Sequence, residues 1–300
     1  MRAAVIVNPI SGAHGRPDAG RRRAELANAV LGGAGVAAEV HVTDAPGHAF
    51  DLARAAVGRG ASVVFAWGGD GTVNEVGRAL AFGPAALAVV PAGSGNGLAR
   101  ELGVPRDPVA ALRAGLAGTE RLIDAGELGE RLFFNVAGIG FDARVAARFN
   151  ARARRRRGPL PYFLIGIAEI FRYRPAEYWL SVDGETSSCR ALLLVCANSR
   201  RYGGDVLIAP RARLDDGRLD LVMVAPRGSL RVLWDARRIF NGSLGRAPGV
   251  AMRSFSRLEV SAAGPLPVHV DGEPADGGPI LVARVHPRAL RVRAGRPPDA

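Results

Sequence analysis

A glycine-rich loop near residue 70 constrains the fold of this chain more than any other stretch. Residues 62–66 are mostly apolar and β-branched, which predicts a buried strand. Residues 68–75 then read Gly-Gly-Asp-Gly-Thr-Val-Asn-Glu, and apolar side chains recur at helical spacing from there to Leu80. Glycine lets backbone N–H groups approach a ligand, and a helix N-terminus favours an anion. The pattern predicts a phosphate-binding loop in which Asp70 holds a phosphate-bound Mg²⁺, with a plain strand-to-helix turn as the alternative.

Two further loops of small residues follow predicted strands in the first hundred residues. Residues 8–12 read Asn-Pro-Ile-Ser-Gly, and residues 92–97 read Ala-Gly-Ser-Gly-Asn-Gly. The alternation of strands and helices predicts a doubly wound parallel sheet, and such sheets bind ligands outside the carboxyl ends of their strands. We therefore expect the three loops to lie together at one edge of an α/β domain.

The pattern changes after residue 118. Apolar runs of strand length, such as 132–137 and 280–285, are now separated by turns such as Asp216-Gly217 and Asp271-Gly272. This predicts a mostly antiparallel β domain with two or three inserted helices. We therefore place one domain at residues 1–122 and a second at residues 123–300.

The composition narrows the classes of function. The 300-residue chain has 40 basic residues and a net charge of +12, and every basic residue is arginine. Walker A loops and protein kinases depend on a lysine, so neither matches this chain. No apolar run reaches the roughly 18–20 residues of a membrane span, and no signal peptide is visible, which predicts a cytoplasmic protein. The charge alone suggests a nucleic-acid binder, but the aromatic content of 6% and the absence of a recognition motif argue against one.

Six segments of the chain, in order, resemble the diacylglycerol kinase catalytic family, which includes sphingosine and ceramide kinases and bacterial lipid kinases. The matching segments are residues 8–12, 68–75, 91–100, 135–143, 216–220 and 271–274. This resemblance implies an N-terminal α/β ATP-binding domain and a C-terminal, mostly antiparallel β-sandwich domain that takes the lipid substrate. It also implies transfer of the γ-phosphoryl group of ATP to a lipid hydroxyl, with diacylglycerol as the expected acceptor.

The resemblance implies roles for individual residues as well. Glu273 matches the general base that acts on the lipid hydroxyl, and Asp70 matches the acid of the catalytic loop. The positions that match ATP contacts are Asn8, Thr43, Gly68, Gly69, Asp70, Gly71, Thr72, Val73, Asn74, Gly93, Ser94 and Asn96.

A Mg²⁺ site is implied by the same resemblance. It would comprise Arg213, Asp216 and Arg218, in which the two arginines bind through backbone carbonyls because a guanidinium cannot bind a cation. Asp124 either joins this metal network or is a satisfied aspartate at the domain junction. Many bacterial members of the family carry Asn-Asp in the third loop where this chain has Asn96-Gly97, which is closer to the sphingosine kinase form.

Three alternatives therefore stay open from the sequence. A sphingosine- or ceramide-type lipid kinase and an NAD kinase-like enzyme share parts of the pattern, and a nucleic-acid binder ranks last. The expected partners are ATP and a lipid at a membrane surface, with no nucleic acid, and a homodimer is one candidate assembly.

Seven arginines crowd residues 144–157 and precede an apolar stretch at residues 158–165. One interpretation is a solvated, charged helix end. The other is a basic surface that contacts anionic lipid headgroups, because clustered arginines are attracted to the cytoplasmic leaflet. The second interpretation predicts peripheral association with the inner face of the membrane.

Overall fold

A computed structural model describes residues 1–12, 18–152 and 159–295 of the chain. The chain forms two compact units, one of residues 1–123 together with the segment from Arg288 onward, and one of residues 124–287. The sequence-based division at residue 122 differs from this one chiefly in assigning the C-terminal segment to the second domain.

The first unit is an α/β structure built on a parallel sheet. Its helices are α1 (Ala19–Gly33), α2 (His48–Gly58), α3 (Asp70–Leu80), α4 (Gly97–Glu101) and α5 (Pro108–Ala117), and its strands are β1 (Arg2–Val7), β2 (Ala37–Val42), β3 (Val63–Gly68) and β4 (Ala86–Pro91). The strands lie in the order β2-β1-β3-β4, and every pair is parallel. Strand β3 is buried along its whole length, which explains why its sequence is continuously apolar rather than alternating.

The second unit holds most of the remaining elements. Its strands are β5 (Thr119–Leu128), β6 (Arg131–Phe133), β7 (Val136–Gly140), β8 (Ala176–Val182), β9 (Glu185–Ala191), β10 (Leu193–Ala197), β11 (Arg201–Gly203), β12 (Val206–Leu207), β13 (Leu219–Val224), β14 (Val250–Phe255), β15 (Arg257–Ser261), β16 (Pro267–Val270), β17 (Glu273–Asp276) and β18 (Ile280–Ala294), of which β5 and β18 cross the division in sequence. Its helices are α6 (Phe141–Arg152), α7 (Pro159–Ile170) and α8 (Ser229–Ala236).

Antiparallel pairing builds the second unit, in which β11 and β12 form a small sheet and two larger sheets hold most of the other strands. One has the order β14-β13-β10-β7-β16-β17, and in the other β8 pairs with β9 and β15, and β15 pairs with the first part of β18. Side chains of β10 alternate between two cores: Leu194 and Cys196 pack in the core shared by the two sheets, whereas Val195 and Ala197 pack on the opposite face. Burial raises the pKa of the Cys196 thiol to about 12. The predicted fold class, an α/β domain followed by an antiparallel β-sandwich, is confirmed.

The last strand explains why the end of the chain belongs to the first unit. Residues 291–293 of β18 pair in parallel with residues 86–88 of β4, so the C-terminal segment adds a strand to the parallel sheet. The expected strand at 280–285 is therefore only the first part of a longer one. The expectation of a single strand at 132–137 was wrong, because β6 ends at Phe133 and a separate strand, β7, begins at Val136.

Two of the crowded arginines are bound within the second unit. Arg144 Nε lies 3.0 Å from Glu169 Oε2, and Arg148 Nη1 lies 2.6 Å from Glu169 Oε1. These ion pairs join α6 to α7. The Glu169 side chain is only 1% exposed, so the charged groups of the two arginines meet a buried carboxylate. Arg144 and Arg148 are therefore held in ion pairs within the unit, and contact of the arginine run with a membrane stays a prediction. The rest of the run, from Arg152 to Arg157, lies outside the residues whose side chains the structure describes.

Among the helices that the structure describes, none is both long enough and apolar enough to cross a bilayer.

Candidate functional site

The three loops singled out by the sequence meet at the carboxyl edge of the parallel sheet. Asn8 follows β1, Gly68 ends β3 and Ala92 follows β4, and these strands are neighbours in the sheet. The backbone N–H of Gly69 donates to Ser11 Oγ over 3.3 Å, which links the first loop to the second. The expected convergence of the loops is therefore confirmed.

The second and third loops touch backbone to backbone. A Cβ atom added to Gly93 would lie 2.7 Å from the Cα of Gly69, closer than real Cβ contacts allow. Glycine at position 93 is thus required by the approach of the two loops, and the same approach brings their N–H groups into one small region.

Asn8 and Thr72 form a polar pair at the start of α3. Asn8 Nδ2 donates to Thr72 Oγ1 over 2.9 Å, and Asn8 Oδ1 accepts the N–H of Ile10 at 3.1 Å. A Cβ atom on Gly68 would lie 2.4 Å from that same hydroxyl oxygen of Thr72. Both side chains therefore stabilise the conformation of the loops. The sequence analysis did not predict this structural role.

Asp70 caps the helix that begins in the third loop. Its Oδ1 accepts the N–H of Gly97 at 2.7 Å, and its Oδ2 accepts the N–H of Asn96 at 2.9 Å. These N–H groups lie at the N-terminus of α4, where the helix leaves donors unsatisfied. The role of Asp70 towards Mg²⁺ stays a prediction.

The other acid of the loop, Glu75, caps a different helix. Its carboxylate accepts the N–H groups of Gly47 at 2.9 Å and Ala49 at 3.1 Å, at the start of α2. One helix, α3, therefore uses two acids to fix two neighbouring loops. Sequence reasoning missed this role because Glu75 and Gly47 are 28 positions apart in the chain.

The tip of the third loop is closed by Asn96. Its side chain accepts the N–H of Gly93 at 2.9 Å and donates to the carbonyl of Gly93 at 2.7 Å. Asn96 has a φ of 51°, a left-handed conformation that asparagine tolerates better than most residues. Ser94, at the same tip, is exposed, whereas Thr43 and Asn74 are buried. Their contacts with ATP stay predictions.

Arg23 of α1 lies beneath the first loop. Its guanidinium donates to the carbonyl of Asn8 and to the carbonyl of Ser11, each over 2.6 Å. Burial lowers the pKa of this guanidinium, which nevertheless stays charged near neutral pH. Sequence reasoning missed Arg23, because it stands beside Arg21 and Arg22 in the same helix and no pattern distinguishes it from them.

In the second unit, Asp271 fixes the turn that leads to Glu273. Its carboxylate accepts the N–H groups of Phe134, Asn135 and Val136, each at 3.0 Å. Asp271 is 7% exposed and has a φ of 47°, so the turn is tight and firmly held. Glu273 follows as the exposed first residue of β17. The sequence predicted the turn but not its anchor.

A buried polar cluster lies beside the same turn. His269 Nε2 is 2.6 Å from Tyr202 Oη and 3.1 Å from Asp142 Oδ2, and the N–H of Gly272 donates to His269 Nδ1 over 3.3 Å. These contacts place His269 in the support of the Asp271-Gly272 turn.

The expected metal residues lie on one turn of the second unit. Asp216 is exposed and its Oδ1 accepts the N–H of Arg218 at 3.0 Å, while the Arg218 side chain bonds instead to Asp183 and Ser254. Asp124 is fully buried and accepts the N–H of Gly217 at 2.6 Å, so it anchors this turn.

The donor atoms at this turn are compatible with Mg²⁺ only if backbone carbonyls and water complete the coordination. Over the described residues, no group of three or more His, Cys, Asp or Glu side chains is arranged to hold a metal. A magnesium ion here would bind one carboxylate, backbone carbonyls and water, which is a ligand set that Mg²⁺ accepts. Burial, and then the nearby charge of Asp216, raise the pKa of Asp220.

A cavity of about 610 Å³ also lies in the second unit. Its walls come from α6, Tyr173, β16 and β17, and they include Ala143, Ala147, Val268, Pro274 and Ala275. Arg144 and Asp276 also line the cavity, so its walls are partly charged. Pro274 directly follows Glu273, so the cavity lies next to the expected general base within this unit.

These features define an α/β protein with three functional loops at the carboxyl edge of a parallel sheet, followed by an antiparallel β-sandwich. Comparison with known proteins specifies the family. Residues 2–128 match the diacylglycerol kinase catalytic domain, and residues 135–294 match the YegS C-terminal NAD kinase beta sandwich-like domain.

Relatives along the whole chain agree with these matches. A Pseudomonas aeruginosa protein named probable lipid kinase YegS-like is 35% identical over 95% of this chain and 94% of its own length. A diacylglycerol kinase of Mycobacterium tuberculosis is 34% identical over 97% of this chain and 94% of its own. A crystal structure of a candidate diacylglycerol kinase from Bacillus anthracis superimposes with a TM-score of 0.79 at 20% identity, covering 98% of this chain and 95% of that one. The chain therefore belongs to the diacylglycerol kinase family, a family of lipid kinases, which confirms the resemblance stated from the motifs.

Proposed function

We propose that this lipid kinase transfers the γ-phosphoryl group of ATP to the hydroxyl of diacylglycerol at the cytoplasmic face of a membrane. The observation that carries the proposal is the close approach of Gly69 and Gly93, which holds the third loop against the start of α3, where the first N–H groups of a helix have no intrahelical partner. Such N–H groups bind phosphate oxygens, and a helix N-terminus favours their negative charge.

The first unit supplies the nucleotide site in this proposal. The N–H groups at the start of α3, of residues 70–72, bind the phosphates, and Asp70 fixes the third loop against the second through Asn96 and Gly97. Phosphoryl transfer depends on alignment and charge stabilisation more than on covalent help from the protein. A bound Mg²⁺ would neutralise the phosphate charge, with Asp70 as the side chain to hold it.

The second unit supplies the acceptor side. Glu273 takes the proton of the lipid hydroxyl while the hydroxyl oxygen forms its bond to the γ-phosphorus. The bond between that phosphorus and the β–γ bridging oxygen breaks, and ADP leaves. Anchoring of Asp271 by three N–H groups gives Glu273 the fixed backbone that a general base requires. The cavity beside Pro274 offers room for the apolar part of the acceptor.

A sphingosine- or ceramide-type acceptor is the second candidate, favoured by Gly97 in the third loop. An NAD kinase-like activity has less support, because one of the two relatives is named a probable lipid kinase and the other a diacylglycerol kinase.

The proposal is tested by incubating the protein with γ-labelled ATP, Mg²⁺ and separate acceptors. Diacylglycerol, sphingosine, ceramide and NAD should be presented one at a time, followed by chloroform extraction. The expected result is label in the organic phase with diacylglycerol alone. Label with sphingosine or ceramide would transfer the assignment to the second candidate, and labelled NADP in the aqueous phase would contradict both.

A further inference from the structure

Helix α8 and the turn after it expose large apolar side chains. Leu230 is 76% exposed, Trp234 is 67% exposed and Phe240 is 57% exposed, and no residue of α8 is buried. Single exposed apolar side chains are common on protein surfaces, but three large ones within one short segment are unusual.

The exposed residues of α8 lie on one face of the helix. Positions 230, 234 and 237 are four and three residues apart, the spacing that places side chains above one another. Val232, on the opposite side, and Leu233, at the edge of the exposed face, are half-buried. We call the exposed set, which comprises Leu230, Arg231, Trp234, Arg237 and Phe240, the α8 face.

Positive charge surrounds the apolar part of the α8 face. Residues 227–246 contain five arginines and one acid, Asp235. That acid is engaged by Arg227 at 3.2 Å and by Arg238 at 3.3 Å, and only 18% of its side chain is exposed. The exposed charges of the segment are therefore positive, and they include Arg231 and Arg237.

Arginine and tryptophan are in direct contact on this face. The guanidinium carbon of Arg237 lies 3.5 Å from the centre of the Trp234 ring. An aromatic ring flanked by cations suits the boundary between lipid headgroups and acyl chains, where the ring sits among the headgroups and the cations meet phosphate.

A neighbouring residue extends the apolar area. Ser229 Oγ donates to the carbonyl of Ile170 over 3.3 Å, which holds the start of α8 against the end of α7. Phe171, the next residue, is 58% exposed.

We propose that the α8 face docks on the surface of an anionic phospholipid bilayer. Complementary charge favours this occupant over a neutral protein surface, because Arg231 and Arg237 flank the apolar side chains and the only acid of the segment is already paired. The surface would hold the enzyme at the membrane that contains its proposed acceptor, and to that extent the inference rests on the proposed function.

Vesicle co-sedimentation of the full chain tests the proposal. We expect binding to vesicles of phosphatidylcholine mixed with phosphatidylglycerol, weak binding to phosphatidylcholine alone, and loss of binding as salt is raised. The double variant Leu230→Ser/Trp234→Ser should bind roughly tenfold or more weakly, because both side chains lose apolar burial. The variant Arg231→Ser should bind about fivefold more weakly.

Matched controls come from the same unit. Trp179 is 51% exposed on β8 and Arg190 is exposed on β9, so Trp179→Ser and Arg190→Ser remove the same residue types elsewhere. Both control variants should bind vesicles like the original protein. Thermal melting shows that each variant is folded.

Tryptophan fluorescence locates the contact. The chain has three tryptophans, and Trp67 is 2% exposed, so the variant Trp179→Phe leaves Trp234 as the exposed reporter. Brominated acyl chains should quench the emission of this variant when it binds vesicles. Absence of quenching, or full vesicle binding by Leu230→Ser/Trp234→Ser, would overturn the proposal.

Two readouts separate this inference from the proposed function. Phosphorylation of a short-chain, water-soluble diacylglycerol should be unchanged in Leu230→Ser/Trp234→Ser, whereas phosphorylation of vesicle-embedded diacylglycerol should fall. A protein that phosphorylates no lipid but still binds vesicles through Trp234 contradicts the function and not the docking surface. Self-association that disappears in the double variant, with vesicle binding intact, would assign the α8 face to a second copy of the chain and overturn the proposal.

Discussion

The backbone N–H of Gly97 donates to the carboxylate of Asp70 over 2.7 Å, so the acid of one loop caps the helix that begins in another. This bond uses the main chain of residue 97 and needs no side chain there. The departure from the Asn-Asp pattern of many bacterial relatives therefore leaves the link between the loops intact. Compared with an aspartate at the same position, Gly97 leaves one negative charge fewer close to Asp70.

Asp70→Asn should lower both stability and activity. The amide can accept only one of the two N–H groups, and its own NH₂ faces the other, so we expect a loss of about 1–3 kcal/mol in the free energy of unfolding. Turnover should fall by about 10²-fold or more, because the carboxylate that would hold the phosphate-bound Mg²⁺ is lost. Chemical denaturation and ATP turnover measure the two effects.

Glu75→Gln is the matched control, because Glu75 also caps a helix with two acceptor bonds. Its stability should fall by a similar amount and its turnover much less. Equal loss of turnover in both variants would show that Asp70 acts only through the fold.

Gly93→Ala should weaken ATP binding. The added methyl group would lie 2.7 Å from the Cα of Gly69, so the two loops must separate. We expect destabilisation of about 1–3 kcal/mol from overpacking and a rise in the Kd for ATP, measured by calorimetry. Gly33→Ala is the control, since no atom lies within 4 Å of a Cβ there. Unchanged ATP affinity in Gly93→Ala would remove the loop contact from the nucleotide site.

Asp271→Asn should reduce turnover with little change in ATP affinity. The amide cannot accept all three N–H bonds, so the turn that carries Glu273 loosens and the protein loses about 1–3 kcal/mol of stability. Steady-state kinetics in ATP and in lipid separate the effects on KM and kcat.

The control for that experiment is Asp183→Asn. Asp183 also begins an Asp-Gly turn at positive φ, and its carboxylate accepts the N–H groups of Ser256 and Arg257. This variant should be destabilised to a similar degree and keep its kcat. A fall in kcat of equal size in both variants would mean that Asp271 supports the sandwich generally rather than Glu273.

Asp220→Asn should stabilise the protein near neutral pH. Burial and the charge of Asp216 raise the pKa of Asp220 in the folded state. A carboxyl group with a raised pKa stabilises the fold below the unfolded-state pKa, and this contribution is lost as the pH rises through the folded-state pKa. The Tm of the variant should therefore exceed that of the original protein at about pH 7, and the difference should shrink towards about pH 4.

The control is Asp215→Asn, which removes one negative charge from the same turn at an exposed position. If both variants gain the same Tm at neutral pH, then repulsion among the carboxylates of this turn, and not the burial of Asp220, is responsible.

The sequence predicted those features that depend on local pattern. The convergence of the loops at residues 8–12, 68–72 and 92–97 follows from parallel strands, whose carboxyl ends share one edge. The antiparallel second unit follows from apolar runs separated by Asp-Gly turns. Strand β9 was missed because its residues are mostly polar and exposed, so no alternation of apolar residues marks it.

The contacts that fix the site were not readable in the same way. Asp70 meets Gly97, Asp271 meets Asn135, and Arg144 meets Glu169, and each pair is more than 20 positions apart. A carboxylate in a loop predicts an acceptor of hydrogen bonds or a metal ligand but not which N–H groups it meets. The return of β18 to the parallel sheet also depends on tertiary pairing, because its residues read as an ordinary strand.

The measurement that tests the central claim most directly follows one labelled phosphoryl group. The protein should be incubated with a short-chain diacylglycerol and ATP carrying ¹⁸O in the γ-phosphoryl group, and the lipid product weighed by mass spectrometry. We predict a phosphatidic acid that contains the labelled phosphoryl group, and about 10²–10⁴-fold less of it from Glu273→Gln, whose affinity for ATP should be unchanged. No labelled lipid from the folded protein, or equal product from Glu273→Gln, would contradict the account.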